Sequence, residues 1–129
     1  MEFLVIAAAT DDGKYFIDRH FGDANYYNLY RLTPEKAEFI KKVTNISEKE
    51  QMHADPVKAQ GITEILRKEK VQVAVSKVFG PNIKRIKKKF VCVPTNAGSI
   101  KEVLMVLQKQ FSRLTQEWEA GETRAVIKL

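Results

Sequence analysis

His20 and His53 are the only histidines in the chain, and each lies at a predicted junction between elements rather than inside an apolar run. An imidazole can bind a metal ion or donate a hydrogen bond to an anion. If the end of the second predicted strand lies beside the start of the first predicted helix, the two rings converge, with Asp18, Asp23 or Asp55 as further ligands. The spacing matches no zinc motif, and a single histidine is more often structural. The sequence therefore marks His20 and His53 as candidate metal ligands.

A candidate anion site is the segment Gly80-Pro81-Asn82, which opens a predicted helix. The free N–H groups and positive dipole end of a helix N-terminus can hold an anion, although an ordinary strand-to-helix turn is the commoner role of such a segment. Residues 84–89 are mostly basic, and they either contact phosphate groups or form a solvated helix face. No glycine-rich phosphate loop is present in the sequence.

Four aspartates in the first part of the chain, Asp11, Asp12, Asp18 and Asp23, raise the alternative of a nuclease. Two-metal phosphodiester cleavage needs carboxylates that converge on divalent ions. The first predicted strand carries apolar residues instead, and the acids lie in or near a turn, which favours a turn or surface role. Cys92 alternates with valines in a predicted buried strand, which indicates a core thiol rather than a nucleophile or cluster ligand.

The composition indicates one soluble globular domain. With 129 residues, of which 44% are hydrophobic and 29% charged, the chain can build one core but not two comfortable ones. A single cysteine excludes an intrachain disulfide, so we expect a cytoplasmic protein. No apolar run reaches the roughly 18 residues of a membrane span, and a signal peptide is not expected. The net charge of +6 favours an anionic partner: nucleic acid, phosphate, or an anionic cofactor or cluster.

The first part of the chain predicts an antiparallel meander. Residues 3–9 form a nearly continuous apolar run, which is typical of a strand buried on both faces in the middle of a sheet. An Asp-Gly turn and a returning strand at residues 15–17 follow. Strands at residues 26–32 and 37–43, joined by a Pro-containing turn, complete the meander.

The second part predicts alternating helices and strands. An Asp-Pro start predicts an amphipathic helix over residues 55–70, and strands are predicted at 71–79 and 90–94 with a short helix over 80–89 between them. This succession implies a parallel pair of strands. A Ser-x-x-Glu capping box at Ser99 begins a third helix that continues to Leu114.

We therefore assign residues 1–114 to one domain and residues 115–129 to a C-terminal extension. Gly121 interrupts any helix there, and residues 125–129 fit an extra strand, an arm on a partner subunit or a frayed end. Trp118 and Ile127 are costly to expose, so we expect the extension to pack against something.

These motifs together resemble the dinitrogenase iron-molybdenum cofactor biosynthesis family, over about residues 3–114. The resemblance implies a ribonuclease H-like α/β fold, in which a mixed five-stranded sheet has helices on both faces. The matching residues are Asp12-Gly13, His20-Phe21-Gly22-Asp23-Ala24, His53, Gly61 and Phe79-Gly80-Pro81-Asn82.

The resemblance further implies a carrier and not an enzyme, which binds iron-molybdenum cofactor or another metal-sulfur cluster and exchanges it with donor and acceptor proteins. His20 and His53 would face the cluster, and Gly22 and Gly80 would allow close backbone approach. Phe21, Pro81 and Asn82 complete the implied site. A monomer or weak homo-oligomer without a membrane partner is expected.

Two alternatives remain open from the sequence. A nucleic-acid-binding or vestigial nuclease domain would also suit the fold class and the charge, although nucleic acid is the less favoured partner. A structural partner module would instead use residues 115–129.

Overall fold

The computed structural model describes residues 1–45 and 55–129, with side chains described outside residues 55–60. Within these ranges, five strands form one sheet in the order β3-β2-β1-β4-β5. The strands are β1 (Leu4–Thr10), β2 (Tyr26–Leu32), β3 (Ala37–Thr44), β4 (Val73–Ser76) and β5 (Val91–Pro94). The helices are α1 (Asp55–Lys68), α2 (Ile83–Ile86), α3 (Ile100–Lys109) and α4 (Phe111–Glu119).

β1 is the central strand, and all seven of its residues are buried. Its alternate side chains belong to two separate cores, because successive residues of a strand point to opposite faces. Val5, Ala7 and Ala9 pack in the core that contains residues of α1 and α2. The intervening side chains pack in the core that contains residues of α3 and α4. The prediction of a doubly buried central strand is confirmed.

The sheet is mixed, as predicted. β1 pairs antiparallel with β2, which pairs antiparallel with β3, whereas β1, β4 and β5 run parallel to one another. The expected α/β architecture with helices on both faces is therefore confirmed, while the more specific ribonuclease H-like label stays a prediction.

The strand predicted at residues 15–17 is wrong. Phe16 makes only an isolated bridge to Thr10, and Tyr15 makes one to Ser99. The physical reason is that β2 pairs with the whole of β1 and β4 pairs with its Ile6–Ala8 part, so the returning segment reaches only the last residues of β1. The turn is closed instead by the hydroxyl of Thr10, which donates to the Tyr15 carbonyl at 2.6 Å and accepts from the N–H of Gly13 at 2.9 Å.

The first predicted helix ends at Lys68 rather than at residue 70, and the other two differ more from their expected bounds. Residues 80–89 form a 3-10 turn (Gly80–Asn82) followed only by the four-residue α2, so the substantial helix dipole expected at Gly80 is not present. The third predicted helix divides at Gln110 into α3 and α4. Its start is as predicted, because the Ser99 hydroxyl accepts a hydrogen bond from the N–H of Glu102.

The C-terminal residues lie along the edge of β5. The N–H of Ile127 donates to the carbonyl of Cys92 at 3.0 Å, and the N–H of Leu129 donates to that of Pro94 at 3.3 Å. Ile127 is fully buried in the core that contains α3 and α4. The extension thus covers a strand edge that would otherwise present unpaired backbone groups.

None of the helices in the described part of the chain combines the length and the apolar character that crossing a membrane requires.

Candidate functional site

The backbone at His20 lies beside the segment that follows β4. His20 forms a parallel bridge with Val78, and the N–H of Phe21 donates to the Val78 carbonyl at 2.8 Å. These contacts bring two segments separated by almost sixty positions to the carboxyl end of β4. Ligand sites of open α/β sheets occur at this kind of strand end.

The imidazole of His20 rests directly on the backbone of Gly80. A Cβ atom added at Gly80 would lie 2.6 Å from Nδ1 of His20, a separation at which carbon and nitrogen atoms overlap sterically. Gly80 also has a φ of +77°, in the left-handed region that favours glycine. The position therefore requires glycine for two independent reasons. His20 itself remains exposed to solvent.

Phe21 anchors the His20 segment in the core. Its ring stacks on that of Phe79, with centroids 5.3 Å apart, and lies 5.1 Å from the ring of Tyr27. The Tyr27 hydroxyl donates to the Phe21 carbonyl at 2.6 Å, so a fully buried polar group is also satisfied. The exposed His20 therefore precedes a residue, Phe21, whose ring and carbonyl are both held in the core.

Asn45 holds the other side of the same segment, a role that no motif in the sequence indicated. Its Nδ2 donates to the carbonyls of Gly22 and Ala24, both at 2.9 Å, and its backbone N–H donates to the carbonyl of Asn25 at 2.9 Å. Its side chain is almost completely buried. An asparagine at a strand end has no distinctive sequence signal, because the same residue is common in exposed turns.

A cavity of about 310 Å³ opens between this segment, α1 and the turn that contains Pro81. Apolar side chains that line it include Phe21, Ile62 and Phe79. The predicted site residues that also line it are His20, Gly22, Pro81 and Asn82. Gly80 supports the ring of His20, so the structure brings together every predicted site residue that it describes. His53 lies outside the described residues, and its approach to His20 stays a prediction.

Asp23 and Asp18, proposed as further metal ligands, take different positions. Asp23 lines the cavity, whereas the carboxylate of Asp18 forms an ion pair with Nζ of Lys77 at 2.7 Å. The hydrogen bond from Lys77, reinforced by its charge, lowers the pKa of Asp18. Among the described residues, no three histidine, cysteine or acidic side chains form a group able to hold a metal ion.

The other N-terminal acids stabilise the turn that precedes His20. Asp11 accepts from Nη2 of Arg19 at 2.9 Å and from the N–H of Asn25 at 2.9 Å. Asp12 accepts from the N–H groups of Tyr15 and Lys14, which lower the pKa of its carboxyl. These contacts are those of turn residues, as the sequence indicated, and give no support to the nuclease alternative.

Cys92 is fully buried, and burial raises the pKa of its thiol to about 12. Because the thiolate is the reactive form, we expect the native protein to resist an exposed-thiol reagent at mildly alkaline pH. Labelling in urea should be complete, because unfolding exposes this single cysteine. With an aromatic disulfide as the reagent, the absorbance of the thiol that it releases measures both reactions. Rapid labelling of the native chain would contradict the burial of Cys92.

Comparisons with solved structures give the same fold. A crystal structure of a candidate dinitrogenase from Methanocaldococcus jannaschii matches with a TM-score of 0.57 and 19% identity, covering 84% of this chain and 91% of that chain. A solution NMR structure of a candidate dinitrogenase, given as from Methanococcus jannaschii, matches with a TM-score of 0.57 and 18% identity, covering 86% and 92%. At these identities the likeness shows the fold alone.

No protein of curated function matches the chain at a significant level. The sequence model of the family described as dinitrogenase iron-molybdenum cofactor matches residues 3–110, which include β1 to β5, α1 to α3 and both sides of the His20 cavity. The resemblance found in the motifs is confirmed by this match over most of the chain, and the protein belongs to the dinitrogenase iron-molybdenum cofactor family.

Proposed function

We propose that the protein binds iron-molybdenum cofactor, or a related anionic metal-sulfur cluster, as cargo in the His20 cavity. It holds the cluster without catalysing a reaction and exchanges it with donor and acceptor proteins. The family to which the chain belongs supports a process related to this cofactor. The carrier role and the site assignment are our inference from the residues.

The observation that carries the proposal is the exposed imidazole of His20, supported by the bare backbone of Gly80 at a cavity. Because Gly80 lies against one side of the ring, its backbone limits the positions that the imidazole can take on that side. A ring nitrogen held in this way can bind a metal atom at the surface of a cluster, or donate a hydrogen bond to one of its sulfides. A pre-positioned ligand loses less conformational entropy on binding than a free one.

His53 is the second ligand that we propose. It precedes Asp55, the first residue of α1, by two positions, and α1 contributes Ile62 and Thr63 to the cavity. A cluster contacted from both sides would then lie between the His20 segment and the start of α1. The net charge of +6 favours the approach of an anionic cluster to the protein.

The apolar lining supplies the remaining property that a cluster carrier needs. Phe21, Phe79 and Ile86 are all buried and line the cavity, which limits the access of water to a bound cluster. The single buried thiol also agrees with a reducing compartment, so we propose the cytoplasm as the location.

Replacing His20 with alanine should weaken cluster binding at least about tenfold, because loss of a metal ligand costs no less than loss of a residue that orients one. The apo protein is mixed anaerobically with iron-molybdenum cofactor, or with tetrathiomolybdate as a simpler probe. Visible absorption gives the Kd of each variant. His53→Ala should have a comparable effect, and the double variant should not bind.

Asn25→Ala is a suitable control, because Asn25 is exposed and does not line the cavity. It should bind as the wild type does, and thermal melting confirms that each variant is folded. Equal binding by wild type and His20→Ala would contradict the site. Release of a cluster with an altered metal-to-sulfur ratio would contradict the proposal that the protein only carries it.

A further inference from the structure

We propose that a second cavity, at the opposite end of the parallel strands, binds an organic phosphate of about mononucleotide size. This cavity has a volume of about 720 Å³ and is lined by residues that precede β1, β4 and β5, including Phe3, Val71 and Lys89. Small-molecule sites commonly have volumes of roughly 300–1,000 Å³. The His20 cavity lies instead at the carboxyl end of β4, so the two cavities are separate.

Basic side chains dominate the polar part of this cavity. Five cationic side chains and two carboxylates line it. Four of the cations, Arg67, Lys70, Lys88 and Lys89, are exposed, and none of them forms an ion pair with another residue in the described part of the chain. Each therefore keeps its charge available for a ligand. Lysine and arginine are the usual partners of phosphate groups in proteins.

The backbone at Lys70 gives a second and independent indication. Lys70 follows α1 with a φ of +63°, and it is the only residue other than glycine with a positive φ in the described part of the chain. The N–H of Lys70 donates to the carbonyl of Arg67 and that of Val71 to Leu66, the pattern of a helix end that normally carries glycine at this position. A lysine is therefore placed on the cavity rim in a backbone conformation that disfavours it.

The C-terminal extension builds one wall of the cavity. The guanidinium of Arg124 lies 4.4 Å from the ring centroid of Trp118 and donates to the carbonyl of Lys88 at 2.9 Å and to that of Trp118 at 2.9 Å. Arg124 thus ties α4 to the segment that carries Lys88 and Lys89. The family match ends at residue 110, so this wall belongs to a part of the chain beyond it.

The combination of lining groups favours an organic phosphate over a simple anion. Phe3 and Trp118 are partly exposed and provide apolar surface above the buried Val5 and Val71, while the unpaired cations provide charge around it. Inorganic phosphate would use only the cations. A nucleoside phosphate can use both, because its base packs on apolar and aromatic surface while its phosphates bind the basic residues.

Trp118 is the only tryptophan of the chain and lines the cavity, so its fluorescence should report binding directly. We expect ADP to cause a saturable change in this emission at low salt, with a Kd that rises as salt screens the charges. Adenosine and orthophosphate should each bind at least tenfold more weakly than ADP, as calorimetry on the same samples can confirm. Orthophosphate binding as tightly as ADP would overturn the assignment to an organic phosphate.

Lys70→Gly removes one charge without harming the fold, because glycine tolerates the φ of +63° better than lysine does. This variant should melt no lower than the wild type and yet bind ADP about tenfold more weakly. Lys101→Ala removes one charge from an exposed position on α3 outside the cavity and should leave the Kd within twofold. No saturable response of the wild type, or equal Kd values for the two variants, would overturn the proposal.

Discussion

Gly80→Ala is expected to reduce both the stability of the protein and its binding of a metal-sulfur cluster. The left-handed backbone alone should lower the free energy of unfolding by about 1–2 kcal/mol, because a Cβ is disfavoured at a φ of +77°. The new methyl group would also lie 2.6 Å from Nδ1 of His20, so the imidazole must move. Cluster binding should therefore weaken about as much as in His20→Ala. Urea unfolding and the anaerobic absorption titration measure the two effects.

Two glycine variants separate the contributions to this effect. Gly121 has a φ of +66° with nothing within 4 Å of an added Cβ, so Gly121→Ala reports the backbone cost alone. Gly22 lines the cavity without a positive φ and also has open space, so Gly22→Ala should be nearly neutral for stability. Gly80→Ala should destabilise the protein more than either of them.

A double variant tests whether the His20 ring causes the additional destabilisation by Gly80→Ala relative to Gly121→Ala. In a His20→Ala background the clash is absent, so Gly80→Ala should cost only as much as Gly121→Ala. Contacting residues are expected to show this kind of non-additivity. If Gly80→Ala costs the same with and without the imidazole, the ring does not rest on Gly80 as described.

The central strand and the helix starts could be predicted from the sequence because local chemistry determines them. The apolar run of β1 has no solvent-facing residue, which only a strand covered on both faces satisfies. Ser99 begins α3 through a hydrogen bond that spans three residues, so a short motif contains all the required information. The burial pattern of β1 and the start of α3 are both determined by residues that are close together in the sequence.

The wrong strand predictions concern structure that depends on residues far away in the chain. Whether residues 15–17 form a strand depends on which edges of β1 are free, and that depends on β4, more than fifty positions further along the chain. The strand predicted at residues 71–79 is likewise observed only over Val73–Ser76 (β4), where its pairing with β5 ends at Pro94. Pairing with distant segments overrides the local preference for extended structure.

The site was predicted in part for the same reasons. His20 and Gly80 were identified separately by residue type and by the family motifs, but their direct contact depends on the bridge between His20 and Val78. Asn45 was missed because its side chain donates hydrogen bonds to two carbonyls that are more than twenty positions away in the sequence. A motif can nominate groups for a site, whereas the long-range contacts that hold those groups in place have no local pattern.

Asn45→Ala is the second variant with a large expected effect. It would leave the carbonyls of Gly22 and Ala24 without the donor that each now has at 2.9 Å. A buried polar group that loses its partner costs about 1–3 kcal/mol, and the bond to Gly22 is only partly buried, so the two losses together should lower the free energy of unfolding by about 2–4 kcal/mol. Asn25→Ala is a matched control, because that side chain is exposed, and it should change the free energy by less than about 0.5 kcal/mol. Urea unfolding monitored by circular dichroism measures both.

The same variant also tests how the two histidines are related. Asn45 is the last described residue before the segment that contains His53, and its side chain is bonded to the segment that contains His20. If both histidines contact one cluster, Asn45 fixes the point from which the second approaches the first. Asn45→Ala should then weaken cluster binding at temperatures where the protein remains folded, and adding His53→Ala should produce little further loss. Full additivity of the two losses would instead show that Asn45 acts only on stability and on the His20 side of the cavity.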